Sequence, residues 1–190
     1  MAEFVKIYMK FIQKREIKMS FQLHKQLADL KDRNRKLFEM RSNVIQSKKR
    51  LLLQILQDEV KDFLKTLEFS VTAIPEQNTI LANYKGQMNI EVKFSNSEEF
   101  IFGADILVNV DYLKKEFLLT VNLKRQSFQP ILEEDIEQAI EQYTKLNAHL
   151  EELGTKDIDG SYKLYLKQDN LQLIPFQNIK EALKKILQIE

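Results

Sequence analysis

Three residues of this chain could do chemistry together: Asp105, Asn122 and Lys124. Side chains alternate along a strand. Asp105, Leu107 and Asn109 would therefore share one face, and Leu118, Thr120, Asn122 and Lys124 one face of the next strand. A turn centred near Leu113 and Lys114 pairs Asp105 with Asn122 or Lys124, and cross-strand neighbours lie about 5 Å apart. A carboxylate, a carboxamide and an ammonium at one hairpin end suit metal-assisted phosphodiester hydrolysis. Asp105 would anchor Mg²⁺ or Mn²⁺, an ion class that takes one or two carboxylates plus water and phosphate oxygens. Asn122 would add its carbonyl, and Lys124 would orient water or stabilise developing charge. Gly103 would permit a bend or bulge just before Asp105.

Regular elements must position these groups. Residues 100–112 and 117–124 read as a β-hairpin joined by Leu113-Lys-Lys-Glu. Asn89 to Phe94 alternates as a further strand. Upstream, Thr72 or Ser70 could begin a short helix with Pro75 in its first turn, or Thr79 to Asn83 could be a strand; the residues fit both. Downstream, Pro130 opens a helix through Ile136, Ile140, Tyr143 and Leu150 that stops at Gly154. Tyr162, Leu164 and Leu166 alternate as a strand, and Pro175 precedes an amphipathic helix with Ile179, Leu183 and Ile186.

Residues 3–67 contain neither Gly nor Pro and read as helix. Leu23, Leu27, Leu30, Leu37, Met40, Val44, Leu51 and Ile55 form the seam of a long amphipathic helix or coiled coil. Asn34, Arg41 and Lys48 interrupt that seam, which weakens a zipper. Val60, Phe63, Leu64 and Leu67 are expected to pack on the following domain. The organisation expected is thus a basic helical arm over 1–67 and an α/β domain over 68–190.

Charge is unevenly spread. Residues 1–67 hold 16 Lys and Arg against 8 Asp and Glu, and the remainder holds 13 against 20. A basic arm on an acidic domain suggests a polyanionic partner, DNA first, through Lys48, Lys49, Arg50 and Arg125. The bland alternative is a solvated helix face beside a dimer or partner seam. No aromatic residues interleave as a stacking platform requires. The chain has no Cys, which excludes disulfides and thiolate chemistry. No apolar run is long enough for a membrane span, and the reading expected is cytoplasmic.

The stretch Phe102-Gly-Ala-Asp105-Ile-Leu-Val, followed by Val121-Asn-Leu-Lys124-Arg-Gln126, resembles the PD-(D/E)XK, or restriction-endonuclease-like, nuclease superfamily. The resemblance covers roughly residues 70–180. It implies a central mixed sheet flanked by helices and metal-dependent cleavage of nucleic acid. It also implies a further acid before the Gly-Ala-Asp, matched by Glu99 or Glu98, and one on a preceding helix, matched by Glu76 if residues 75–84 are helical. Gln142 would match the Gln of the following helix. The metal set implied is Asp105, Asn122 and Glu99. Asn122 departs from the family's usual Glu, Asp or Gln, so lost catalysis on the same fold is the alternative. Singly, an Asp at a strand start is more often a turn or cap residue than a ligand.

Overall fold

A computed structural model describes residues 2–133, 135–168 and 172–189, with side chains from Ser20 onward. Helix α1 (Ala2–Thr66) runs without a break and is followed by strands β1 (Ser70–Ile74), β2 (Thr79–Tyr84), β3 (Met88–Phe94), β4 (Ile106–Tyr112) and β5 (Lys115–Leu123). Helix α2 (Ile136–Leu153), strands β6 (Tyr162–Lys167) and β7 (Leu173–Phe176), and helix α3 (Ile179–Leu187) complete the order. The chain forms two compact units: Met1–Ser42 with Gln126–Lys156, and Asn43–Arg125 with Asp157–Glu190. This differs from an arm ending at residue 67, because α1 changes partners at about residue 42.

In the second unit, the seven strands form one sheet in chain order, β1 to β7. Every pairing is antiparallel. The expected mixed sheet is therefore corrected. Strands joined by short connections return beside their predecessors, and only a crossover could lay neighbours parallel. The choice left open around Pro75 falls to strands: Pro75–Gln77 is a single 3₁₀ turn between β1 and β2.

One face of this sheet is apolar. Ile80, Ile90, Val92, Val108, Leu119, Val121 and Leu164 are fully or almost fully buried there. They pack in a single cluster with Leu52, Leu56, Val60 and Leu64 of α1 and Ile179, Leu183 and Ile186 of α3. These α1 residues recur at steps of four, the stripe one helix face presents. The expected seam fails here: Leu51 is 53% and Ile55 43% exposed, whereas Leu52, Leu53 and Leu56 are buried. A sheet demands a wider apolar stripe than a zipper, and the Leu-Leu-Leu run could satisfy only one of the two. The residues between these strand positions, such as Glu91, Lys93, Asn109 and Lys163, are exposed on the other face.

In the first unit, α1 and α2 run side by side in the same direction. Asn147 Nδ2 donates to Leu30 O (2.9 Å) and Asn34 Nδ2 to Asn147 Oδ1 (2.7 Å). Further along, Arg33 pairs with Glu151 and Arg41 donates to the Gly154 carbonyl. Asn34 and Arg41, which interrupt the seam, thus meet polar partners in the same chain. Asp135 caps α2 by accepting from the Glu137 and Gln138 N–H groups, both at 2.9 Å.

Candidate functional site

The end of the β4–β5 hairpin is built by a tight turn and a bulge. Leu113 and Lys114 both take positive φ (53° and 62°), the pattern of a two-residue I′ turn, and this sets the register. Ile106 then faces Val121. The Asp105 N–H also donates to the Val121 carbonyl (3.0 Å). Two residues of one strand oppose one of the other, which is a β-bulge. Gly103, at φ 81°, supplies the preceding bend.

The bulge turns Asp105 inward, where it is 8% exposed. Its carboxylate accepts the Leu123 N–H (2.8 Å), a ladder donor left unmet where β4 has ended. It also receives the Arg125 guanidinium through two bonds of 2.6 and 3.0 Å. Arg125 follows Leu123 and Val121 at strand spacing, so the clamp lies on the apolar-face side. Lys49 of α1 is buried beside it, 5% exposed, and donates to the Glu99 carbonyl (2.9 Å). Burial pushes the Lys49 ammonium pKa down, and the negative charges of Asp105 and Glu99 oppose that shift.

The structure does not bring the sequence-nominated trio together. Asn122 sits between buried Val121 and Leu123 and faces the opposite side of the sheet, paired in register with Lys163. Lys124 is exposed, and its backbone N–H donates to Ser161 O (2.8 Å). Its charge acts on Asp159, whose carboxyl pKa is lowered first by the Ser161 hydrogen bonds and only slightly by Lys124. The shared face expected of Asp105 and Asn122 is thus corrected: the inserted bulge residue reverses the alternation. Glu99 is exposed and contributes only its backbone carbonyl to the Lys49 bond, while Glu98 pairs with Arg50 at 2.7 Å. Glu76 lies on the 3₁₀ turn before β2, two strands from β4, and not on a helix. Gln142 is exposed.

The basic set also disperses. Lys48 donates to the Asp159 carbonyl (3.2 Å), Lys49 is buried, Arg50 holds Glu98 and Arg125 holds Asp105. His149 bonds Gln126 at 3.0 Å and lies against the edge of Phe128.

These residues do not fit a divalent cation at Asp105. Both carboxylate oxygens already accept donors, and two cationic side chains adjoin them. Among the described residues, no three His, Cys, Asp or Glu side chains converge as a metal would require. A cleft of about 750 Å³ is lined by Tyr112, Phe117, Leu166 and Ile186, and none of the nominated residues borders it.

No protein-family model, curated protein or solved structure matches the chain. Nor, among the described residues, is any helix long and apolar enough to cross a membrane.

The β3–β4 loop carries a feature that sequence reasoning missed. Phe100 is 91% and Phe102 97% exposed, on either side of Ile101. The loop backbone is tied by the Ile101–Ala104 bridge and by Lys49 at the Glu99 carbonyl. In the sequence these residues extend an apolar run toward β4 and look like its first turns of alternation. Gly103 beside them was the available signal that the strand had not yet begun.

Proposed function

We propose that this chain is a non-catalytic protein-interaction module, presenting the Phe100–Phe102 loop to a partner with an apolar pocket. One observation carries the reading: the carboxylate and two of the cations best placed for metal or phosphate, Asp105, Lys49 and Arg125, are engaged with neighbours inside their own unit. Asp105 closes a clamp with Arg125 and the Leu123 N–H, and Lys49 is buried against the same loop. A restriction-endonuclease-like core with Asp105, Asn122 and Glu99 around Mg²⁺ would need that clamp opened and Asn122 turned to the other face. DNA binding by Lys48, Lys49, Arg50 and Arg125 would need at least the buried Lys49 and the clamped Arg125 released. By contrast, two exposed Phe side chains on a tethered loop offer apolar area at low ordering cost, as interface anchors do.

The test has two arms. Purified protein is assayed with DNA and RNA in Mg²⁺ and in Mn²⁺, and the expected result is neither cleavage nor steeply salt-dependent binding. A photo-crosslinker at Ile101 is then used in cells, with and without Phe100→Ser and Phe102→Ser together. A discrete adduct lost in the double variant supports the reading. Metal-dependent cleavage lost in Asp105→Ala, or an adduct indifferent to both Phe residues, overturns it.

A further inference from the structure

The two edges of the sheet are unlike each other. β7 carries Pro175 within the strand, one of the devices that blunt an edge. β1, Ser-Val-Thr-Ala-Ile, has no charge, no Pro and no bulge, and Ser70, Thr72 and Ala73 are exposed. Such an edge is a template for another strand.

Its free groups can be assigned. Phe94 N–H donates to Asn78 O (2.9 Å), so that carbonyl is turned toward β3. Alternation turns the main-chain groups of Thr79, Leu81 and Asn83 toward β1, where their partners are Ile74, Thr72 and Ser70. The N–H and C=O groups of Val71 and Ala73 therefore point outward. The ladder they offer has defined ends: Pro75 has no N–H, and the Phe69 N–H is already bonded to Leu64 O (3.1 Å).

We propose that a second copy of this chain docks on β1 through its own β1, antiparallel and symmetric about Thr72. In that register Val71 exchanges both bonds with Ala73 of the second copy, and Ala73 does the same with its Val71. All the outward donors are met by one two-fold operation, the self-complementarity a symmetric dimer requires. Thr72 faces Thr72 at the axis, Val71 faces Ala73 on the apolar side, and no like charges oppose each other within the ladder. Glu68 and Glu76 lie beyond it, where the chain turns away at both ends: Glu68 at φ 64°, Glu76 in the 3₁₀ turn. The result is one sheet continuous across two chains. This inference does not rest on the Phe100–Phe102 loop and survives its failure.

The test is the mass of the full chain in solution by light scattering and sedimentation. The expected value is twice the chain mass of 22.5 kDa. Thr72→Lys places two ammonium groups on an axis where the Cα atoms stand about 4.5 Å apart, and should halve the mass. Ala73→Pro removes one outward N–H from each copy while sparing the β1–β2 ladder, and should also shift the protein to monomer. A cooperative thermal unfolding transition in each variant confirms that both fold. Because the chain has no Cys, Thr72→Cys is a clean probe and should oxidise to a disulfide-linked dimer, whereas Lys167→Cys should not. A monomeric wild type, or a dimer that persists in both Thr72→Lys and Ala73→Pro without the Thr72→Cys cross-link, overturns the proposal.

Discussion

Helix α1 serves two regions that are held together by different chemistry. Over residues 43–66 it presents Leu52, Leu56, Val60 and Leu64 to a sheet, all at most 3% exposed. Over residues 20–42 it meets α2 through Asn34, Asn147 and Arg41, with Leu23, Leu27, Leu30 and Leu37 of α1 only half-buried and Leu150 of α2 fully buried. Arg41 is 3% exposed, donates to the Gly154 carbonyl and lies 5.3 Å from the Phe128 ring centre. Apolar burial is strong and indifferent to register. Buried polar pairs add less energy but tolerate only one alignment, because a slipped partner leaves a donor unmet. The sheet unit should thus be the more stable of the two and the helical unit the more particular about alignment.

The sharpest way to break that contrast is to empty the apolar seam. Leu56→Ala should cost about 2–5 kcal/mol, the range for a fully buried Leu, read by denaturant unfolding. A loss under about 1 kcal/mol would mean the sheet unit does not depend on this packing. Next in size, Asp105→Ala leaves the Leu123 N–H unmet and Arg125 without its carboxylate. A loss of about 2–3 kcal/mol is expected, below that of a fully buried pair because Arg125 is one-third exposed. Opening the clamp should also raise protease sensitivity around Phe102.

In the helical unit, Asn147→Ala removes two hydrogen bonds at a site 2% exposed and should cost about 1–2 kcal/mol. Amide exchange along α2 would report it without interference from the sheet. Arg33→Ala, which removes an exposed pair with Glu151, should change stability by less than about 1 kcal/mol.

The smallest effect is acid sensitivity of the same unit. Lys36 first and Arg35 next hold the Asp32 carboxyl below its ordinary pKa. Lys31 first and Tyr143 next do so for Glu133. A carboxyl with a depressed folded pKa binds its proton less readily than in the unfolded chain. Its stabilisation is complete above the ordinary carboxylate range and is lost as pH falls through the depressed value. Amide protection in α2 should decline in that window, and added salt should blunt the decline because the groups are exposed.

Much of the scaffold could be read from residue order. The two-residue turn at Leu113 and Lys114 gives the correct β4–β5 register, and Gly154 marks the end of α2. The α3 face of Ile179, Leu183 and Ile186 also follows from spacing alone. What failed was local parity. A single bulge residue sends Asp105 to the side opposite Asn122, and no periodicity announces a bulge. Leu51, Leu52 and Leu53 fit two helix faces equally, and only the sheet decides between them. β7 was hidden by Pro175, which an edge strand tolerates and an interior one does not.

The order of strands in space is the order in the chain, and this has a kinetic consequence. Five of the six pairings close through short connections. Joining β5 to β6, by contrast, requires residues 124–161 to leave and return to a single rung, where Lys124 N–H meets Ser161 O. Closing so long an excursion carries the largest entropic cost of any step in the meander. That rung is therefore the natural bottleneck of refolding: prior helix formation in α2 would shorten the path, and severing the excursion would separate β6 and β7 from an already assembled β1–β5 meander.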